Sequence, residues 1–154
     1  MPAKVLAIIS DSKKLRYGIV GGVQSKPVAH SSKTSTIDFP AEIDSGSGLC
    51  AMLKTLTALV ASEAPTQVAV LRSGKGQHNT SGTTRPIVEA LIQIVCEQAP
   101  VTCSLIHPAT LRAKEKKFGS IVMQSPEAVF NGNNAFRPHE ARDVFLTGWK
   151  DLPE

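Results

Sequence analysis

The amino-acid sequence predicts one α/β domain with a mixed sheet and helices on both faces. Two observations lead to this prediction: three strand-like runs with short connections come first, and strands then alternate with helices. The short connections leave no room for a helix between the first strands, so these strands must pair antiparallel. The alternating part is typical of parallel strands joined by helices. A purely parallel sheet is therefore excluded.

The three leading strands are predicted from β-branched residues separated by polar turns. The runs cover residues 4–9, 15–23 and 28–37, and the last is rich in hydroxyl side chains on one face. The polar stretch at residues 10–14 predicts a hairpin between the first two strands.

The next elements are bounded by prolines. Apolar residues recur at helical spacing between residues 49 and 60, and Pro65 ends this helix near Ala64. Compact apolar runs at residues 67–71 and 101–106 predict two buried strands.

Three further helices are predicted at prolines in the second half of the chain. Pro86 and Pro108 each open a helix, because proline fits the first helical position, and the second of these helices is expected to end at Gly119. Residues 120–137 read as an irregular segment, after which Pro138 opens the last helix. All 154 residues are thus assigned to one domain.

The composition narrows the possible functions. The net charge is +4, and no acid occurs at residues 12–37, 64–88 or 98–114. Such segregation can build a basic surface that attracts polyanions, although solvated lysines on a mildly basic protein would give the same pattern. Aromatic residues make up only 5% of the chain, which argues against a platform of stacking aromatics.

Cysteine and histidine give no sign of a cofactor or metal. The 3 cysteines form no C-x-x-C pair and the 4 histidines are scattered, so neither a disulfide framework nor a zinc site is predicted. No motif pairs a cysteine with a histidine for nucleophilic catalysis. No leader or membrane-spanning run is apparent, and we expect a cytoplasmic protein with no membrane partner.

The loop at residues 72–85 is the clearest binding motif. Its glycines free backbone N–H groups to face an anion, and Arg72, Lys75 and Arg85 add positive charge. The loop also leads into a helix N-terminus, which favours phosphate. It lacks the spacing of a nucleotide-binding P-loop, and an ordinary surface loop remains the alternative.

Two segments resemble proteins of the ribonuclease H-like fold. Residues 7–20 (AIISDSKKLRYGIV) resemble the first hairpin of Holliday-junction resolvases. Residues 68–111 are similar to a family of short, uncharacterised bacterial proteins assigned to the same fold. The residues that carry this second similarity are Glu89, Ala90, Ile92, Gln93, Pro108, Ala109 and Thr110. The resemblance implies a ribonuclease H-like mixed sheet and a bacterial origin.

The resemblance also implies where a nuclease would hold its metal ions. Nucleases of this fold carry carboxylates on the first strand, at the end of the fourth strand and on the final helix. In this sequence the first strand has no acid, and Asp11 lies in the turn after it. The fourth strand ends with Arg72 in place of a carboxylate. Only Glu140 and Asp143 fit the positions on the final helix. Because a guanidinium cannot bind a cation, we expect no metal site and no catalysis, with these three acids as residual catalytic candidates.

Three functions remain open. The first is a catalytically inactive domain that binds nucleic acid through the 72–85 loop together with basic residues elsewhere, namely Lys13, Lys14, Arg112, Lys116 and Lys117. The second is a regulatory module that forms homo-oligomers, whose signature would be an uncovered apolar stripe at residues 49–60. The third is a metal-dependent nuclease.

Overall fold

The computed structural model describes residues 2–29, 35–72, 84–124 and 139–154. Within these ranges six strands form one sheet in the order β3-β2-β1-β5-β6, with β4 also paired to β2. The elements in chain order are β1 (Lys4–Ser10), β2 (Lys14–Val23), β3 (Lys26–Ala29), β4 (Ser35–Asp38), α1 (Gly46–Glu63), β5 (Gln67–Leu71), α2 (Thr84–Gln98), β6 (Thr102–Ile106), α3 (Pro108–Gln124) and α4 (His139–Lys150). The predicted mixed sheet is confirmed.

Strands β1 and β2 form the predicted hairpin. They pair antiparallel from Lys4 opposite Gly21 to Ser10 opposite Leu15. On its other side β1 pairs parallel with β5, which in turn pairs parallel with β6. The helix α2 connects β5 to β6, as parallel strands require.

The predicted third strand, residues 28–37, corresponds within the described residues to two strands that both pair antiparallel with β2. Strand β3 pairs with the last four residues of β2, Val20–Val23, whereas β4 pairs with the first four, Lys14–Tyr17. Between them, Gly18 and Ile19 pair with neither β3 nor β4. Residues 30–34, which connect β3 to β4, lie outside the described ranges.

The sheet separates two apolar clusters. Leu6 and Ile8 of β1 pack into one cluster with α1 and α2, whereas Val5 packs into the other with α3 and α4. This alternation follows from the two-residue period of a strand, which points successive side chains to opposite faces. Helices therefore cover both faces of the sheet, as predicted.

Helix α1 does not expose the apolar stripe expected of a self-associating module. Met52, Leu56, Leu59 and Val60 are buried in the core, and Leu49 and Leu53 pack against it. The helix ends at Ala64, which adopts a left-handed conformation with φ of 46° directly before Pro65. The signature proposed for a homo-oligomer is thus not found on this helix.

Helix α3 continues beyond Gly119, where the sequence was expected to end it. It extends to Gln124, so residues 120–124 are helical rather than irregular. Glycine inside a helix costs only about 1 kcal/mol relative to alanine and does not by itself stop propagation. Residues 125–137 of the expected irregular segment lie outside the described ranges.

Helix α4 approaches the sheet unusually closely because of Gly148. A Cβ atom at Gly148 would lie 2.7 Å from Val20 Cγ2 and 3.2 Å from Ala7 Cβ. Carbon atoms normally pack about 3.5–4.0 Å apart, so only glycine permits this distance. The close contact brings the N-terminal half of α4, with Asp143, toward the C-terminal end of β1.

Candidate nucleic-acid interface

Several of the predicted site residues lie at one edge of the sheet, and three of them, Asp11, Lys13 and Asp143, line cavities there. This edge, which we call the C-terminal edge, consists of the ends of β1 and β5, the β1–β2 turn and the N-termini of α2 and α4. In open α/β sheets ligands bind beyond the carboxyl ends of the strands. Described residues line two cavities here, one on each side of the β1–β2 turn.

The first cavity, the α4-side cavity, has a volume of about 120 Å³. It is lined by Ile9, Ser10, Asp11, Arg16 and Asp143. The structure therefore brings together two of the three acids that the sequence left as catalytic candidates. Glu140, the third, lies three residues before Asp143 on α4.

Asp11 has a structural role in the β1–β2 turn. Its Oδ1 atom accepts hydrogen bonds from the backbone N–H groups of Lys13 at 2.7 Å and Lys14 at 2.9 Å. Its own N–H donates to the carbonyl oxygen of Lys14 at 2.9 Å. Aspartate commonly closes turns in this way. One carboxylate oxygen is thus engaged in holding the hairpin.

Of the strand residues at the α4-side cavity, Ser10 carries a hydroxyl and Arg16 a guanidinium, and the others on this face are aliphatic. Ile9 lines the cavity, and Leu71 of β5 packs against the cluster on the same face of the sheet. The register pairs Ile8 with Val70, which makes Ile9 and Leu71 the next neighbours along the two strands. Neither side chain offers an oxygen to a cation.

Arg72, which the sequence analysis placed where a nuclease of this fold would need a carboxylate, lies directly after β5. It is not among the residues that line the α4-side cavity, its side chain is exposed, and its backbone N–H donates to Ile106 at 2.8 Å. The alternation of β5 places Leu71 on the face of the sheet that packs against α3 and α4. The conclusion that this strand supplies no carboxylate is unchanged.

The guanidinium in the α4-side cavity belongs to Arg16, which the sequence analysis did not single out. Arg16 on β2 lies directly opposite Ile9 on β1. Directly opposed residues of an antiparallel pair share a face of the sheet, so the register alone would have placed Arg16 beside Ile9. The positive charge of Arg16 therefore lines the same cavity as Asp11 and Asp143.

The second cavity, the α2-side cavity, has a volume of about 340 Å³. Residues from the β1–β2 turn, the segment between β4 and α1, and the first turn of α2 contribute to its lining. They include Ser12, Lys13, Phe39, Ile43, Asp44, Thr84 and Ile87. The sequence analysis identified Lys13 but missed Phe39, because nothing local connects residue 39 to the hairpin.

The other basic candidates are divided between this edge and the surface of α3. Lys14 adjoins Lys13, Arg72 follows β5, and Arg85 lies in the first turn of α2. Arg112 is near the start of α3, whereas Lys116 and Lys117 are exposed about 6–8 Å further along that helix. Lys75 and the other residues at 73–83 lie outside the described ranges.

No group of three or more His, Cys, Asp or Glu residues is arranged to hold a metal ion within the part of the chain that the structure describes. Two cysteines do meet in space, although the sequence gave no sign of it. Cys96 is buried on α2, and its thiol hydrogen-bonds that of Cys103 on β6. This hydrogen bond and burial both raise the pKa of Cys103.

Thiol labelling should distinguish the cysteines. We expect one rapidly labelled thiol in the native protein at pH 7.5 and three after unfolding, because only Cys50 is exposed and only the thiolate reacts. A Cys50→Ser variant should lose the rapid phase. A second rapid thiol in that variant would contradict the packing of α2 against β6.

Three solved structures are similar to this chain over almost its whole length. Thermus thermophilus RuvC superposes with a TM-score of 0.71 at 14% identity, covering 95% of this chain and 91% of that chain. T. thermophilus RuvC in complex with a Holliday junction substrate gives 0.69 at 13% identity, with 96% and 90% covered. The yeast mitochondrial Holliday junction resolvase Ydc2 gives 0.67 at 12% identity, with 96% and 76% covered.

These similarities identify the fold. The chain has the ribonuclease H-like fold, in the form found in RuvC-type Holliday junction resolvases. The sequence matches no protein-family model and no curated protein. Among the described helices, none has the length and hydropathy needed to cross a membrane.

Proposed function

We propose that this chain is a ribonuclease H-like domain that binds the nucleic-acid backbone at its C-terminal edge without cleaving it. The observation that carries the proposal is the set of strand side chains at the α4-side cavity and on the adjoining face of β5. Where nucleases of this fold need carboxylates on two strands, this chain has Ile9 and Leu71, and Arg16 adds a positive charge. A guanidinium suits a phosphate and repels a divalent cation.

The charges around the cavity support binding to a polyanion. Lys13 is exposed on the turn, Arg72 is exposed after β5, and Arg85 adjoins the N-terminus of α2. Cations and helix N-termini at one edge make repeated contacts to a phosphate backbone favourable. Binding of a Holliday junction by the similar T. thermophilus RuvC is consistent with this use of the edge.

Binding should depend strongly on salt. The protein is titrated into fluorescein-labelled four-way junction, duplex and single-stranded DNA. We expect its affinity for DNA to fall about 100-fold between roughly 50 and 200 mM salt. A loss of affinity of this size is expected when the protein contacts about four phosphates and thereby releases their counterions. Fluorescence anisotropy measures it. Absence of binding to all three DNAs at the lower salt concentration would disprove the proposal.

A metal-dependent nuclease is the second candidate, favoured by one observation: Asp11 and Asp143 both line the α4-side cavity. Incubating labelled four-way junction and single-stranded DNA with Mg²⁺ or Mn²⁺ separates the two functions. We expect no cleavage by the wild-type chain. Cleavage that is lost in an Asp143→Asn variant would establish the nuclease instead, whereas cleavage retained in that variant would indicate a contaminating enzyme.

A further inference from the structure

The α2-side cavity is held in shape by backbone hydrogen bonds. The N–H of Phe39 donates to the carbonyl oxygen of Lys13 at 2.8 Å, which fixes an aromatic residue beside a lysine of the β1–β2 turn. The following turn is closed by Ser45, whose N–H donates to Glu42 O at 3.0 Å and whose Oγ accepts from Gly48 N–H at 3.0 Å. A site built this way is preorganised and needs little rearrangement to bind a ligand.

One part of the wall of the α2-side cavity is apolar. Phe39 is half-buried, Ile43 is buried, and Ile87 of α2 is half-buried. Flat aromatic ligands pack well on such a surface, and nucleobases in particular stack on aromatic side chains. The low aromatic content of the whole chain does not preclude a single stacking position.

The remainder of the lining is polar and suits a phosphate. Lys13 is exposed at the cavity, and Thr84 begins helix α2, whose first N–H groups carry partial positive charge. Arg85 follows Thr84 in the chain but is not itself part of the lining; its Nε atom is buried without a hydrogen-bond partner among the described residues. Asp44, also in the lining, can accept a hydrogen bond from a sugar hydroxyl or a base amino group.

We infer that the α2-side cavity binds one unpaired nucleotide, with its base against Phe39 and its phosphate between Lys13 and the N-terminus of α2. Its volume of about 340 Å³ is at the small end of ligand sites, which suits one nucleotide rather than two. This inference rests on the proposed function. It adds that single-stranded or unpaired nucleic acid is the preferred ligand of the C-terminal edge. The strand would cross the β1–β2 turn from one cavity to the other.

A nitrogen-15 NMR titration with mononucleotides tests the site directly. Adding AMP, dAMP or dTMP should shift the amide signals of Lys13, Phe39, Asp44 and Thr84, and leave those of Asp143 and its neighbours on α4 unchanged. A larger shift with AMP than with dAMP assigns the Asp44 contact to the 2′-hydroxyl. A larger shift with dAMP than with dTMP assigns it to the base amino group.

Two substitutions at Phe39 separate stacking from packing. Phe39→Leu keeps an apolar side chain but removes the aromatic ring, and should weaken single-stranded DNA binding about tenfold, the usual contribution of one stacked base. Phe39→Tyr keeps the ring and should bind like wild type. Circular dichroism confirms that both variants fold.

The outcomes keep the two proposals apart. If DNA binds but the mononucleotide shifts occur only around Asp143, or Phe39→Leu binds normally, the nucleotide site is wrong and backbone binding stands. If mononucleotides shift the amides of the α2-side cavity but no DNA binds, the site is real and the proposed function is wrong. If neither mononucleotides nor DNA bind, both are wrong.

Discussion

Replacing Trp149 with alanine is expected to destabilise the protein by about 3–5 kcal/mol, the usual cost of deleting a large aromatic side chain from a core. Trp149 on α4 is fully buried and packs with Phe145, Val5 and Val20. Its indole N–H donates to the carbonyl oxygen of Gln24 at 2.8 Å, which ties the last helix to the β2–β3 turn. The substitution removes the packing and the hydrogen bond together.

Urea denaturation followed by circular dichroism measures this effect. Since domains of this size are stable by only about 5–15 kcal/mol, the midpoint should fall sharply or the variant should be partly unfolded in buffer. Trp149→Phe is the matched control, because it keeps a buried ring and loses the N–H donor, and we expect a smaller loss of about 1–3 kcal/mol. An alanine variant within 1 kcal/mol of wild type would mean that α4 is not packed on the sheet as described.

Reversing two charges at the C-terminal edge is expected to weaken DNA binding by at least about tenfold. In the double variant Lys13→Glu and Arg16→Glu, one cation beside each cavity becomes an anion. Each lost phosphate contact should lower the slope of log affinity against log salt by about one. The double variant should therefore lose about two from the slope measured for wild type.

The control is a second double variant with the same change in net charge, placed away from the C-terminal edge. Lys26 is exposed at the start of β3, at the opposite edge of the sheet, and Lys54 is exposed on α1. The double variant Lys26→Glu and Lys54→Glu should keep a near-normal salt slope. An equal loss of affinity and slope in both double variants would show that binding depends on total charge and not on the C-terminal edge.

Several elements of the fold were determined by the sequence itself. The helix after residue 45 ends where Pro65 forbids continuation, and α3 begins at Pro108. The strand at Gln67–Leu71 coincides with an apolar run of the same length. These limits are set by the local stereochemistry of proline and by the burial of short apolar segments, both of which can be recognised without knowledge of the partner strands.

The assignment of side chains to the site was decided only by the tertiary structure. Local sequence gives neither the register that sets Arg16 opposite Ile9 nor the face that Leu71 shares with α4. The hydrogen bond that joins Phe39 to Lys13 spans 26 positions of the chain. Asp11 and Asp143, which line the same cavity, are much further apart in the sequence. A shift of one residue in strand pairing would turn each strand residue to the other face, so the chemistry of both cavities depends on long-range pairing.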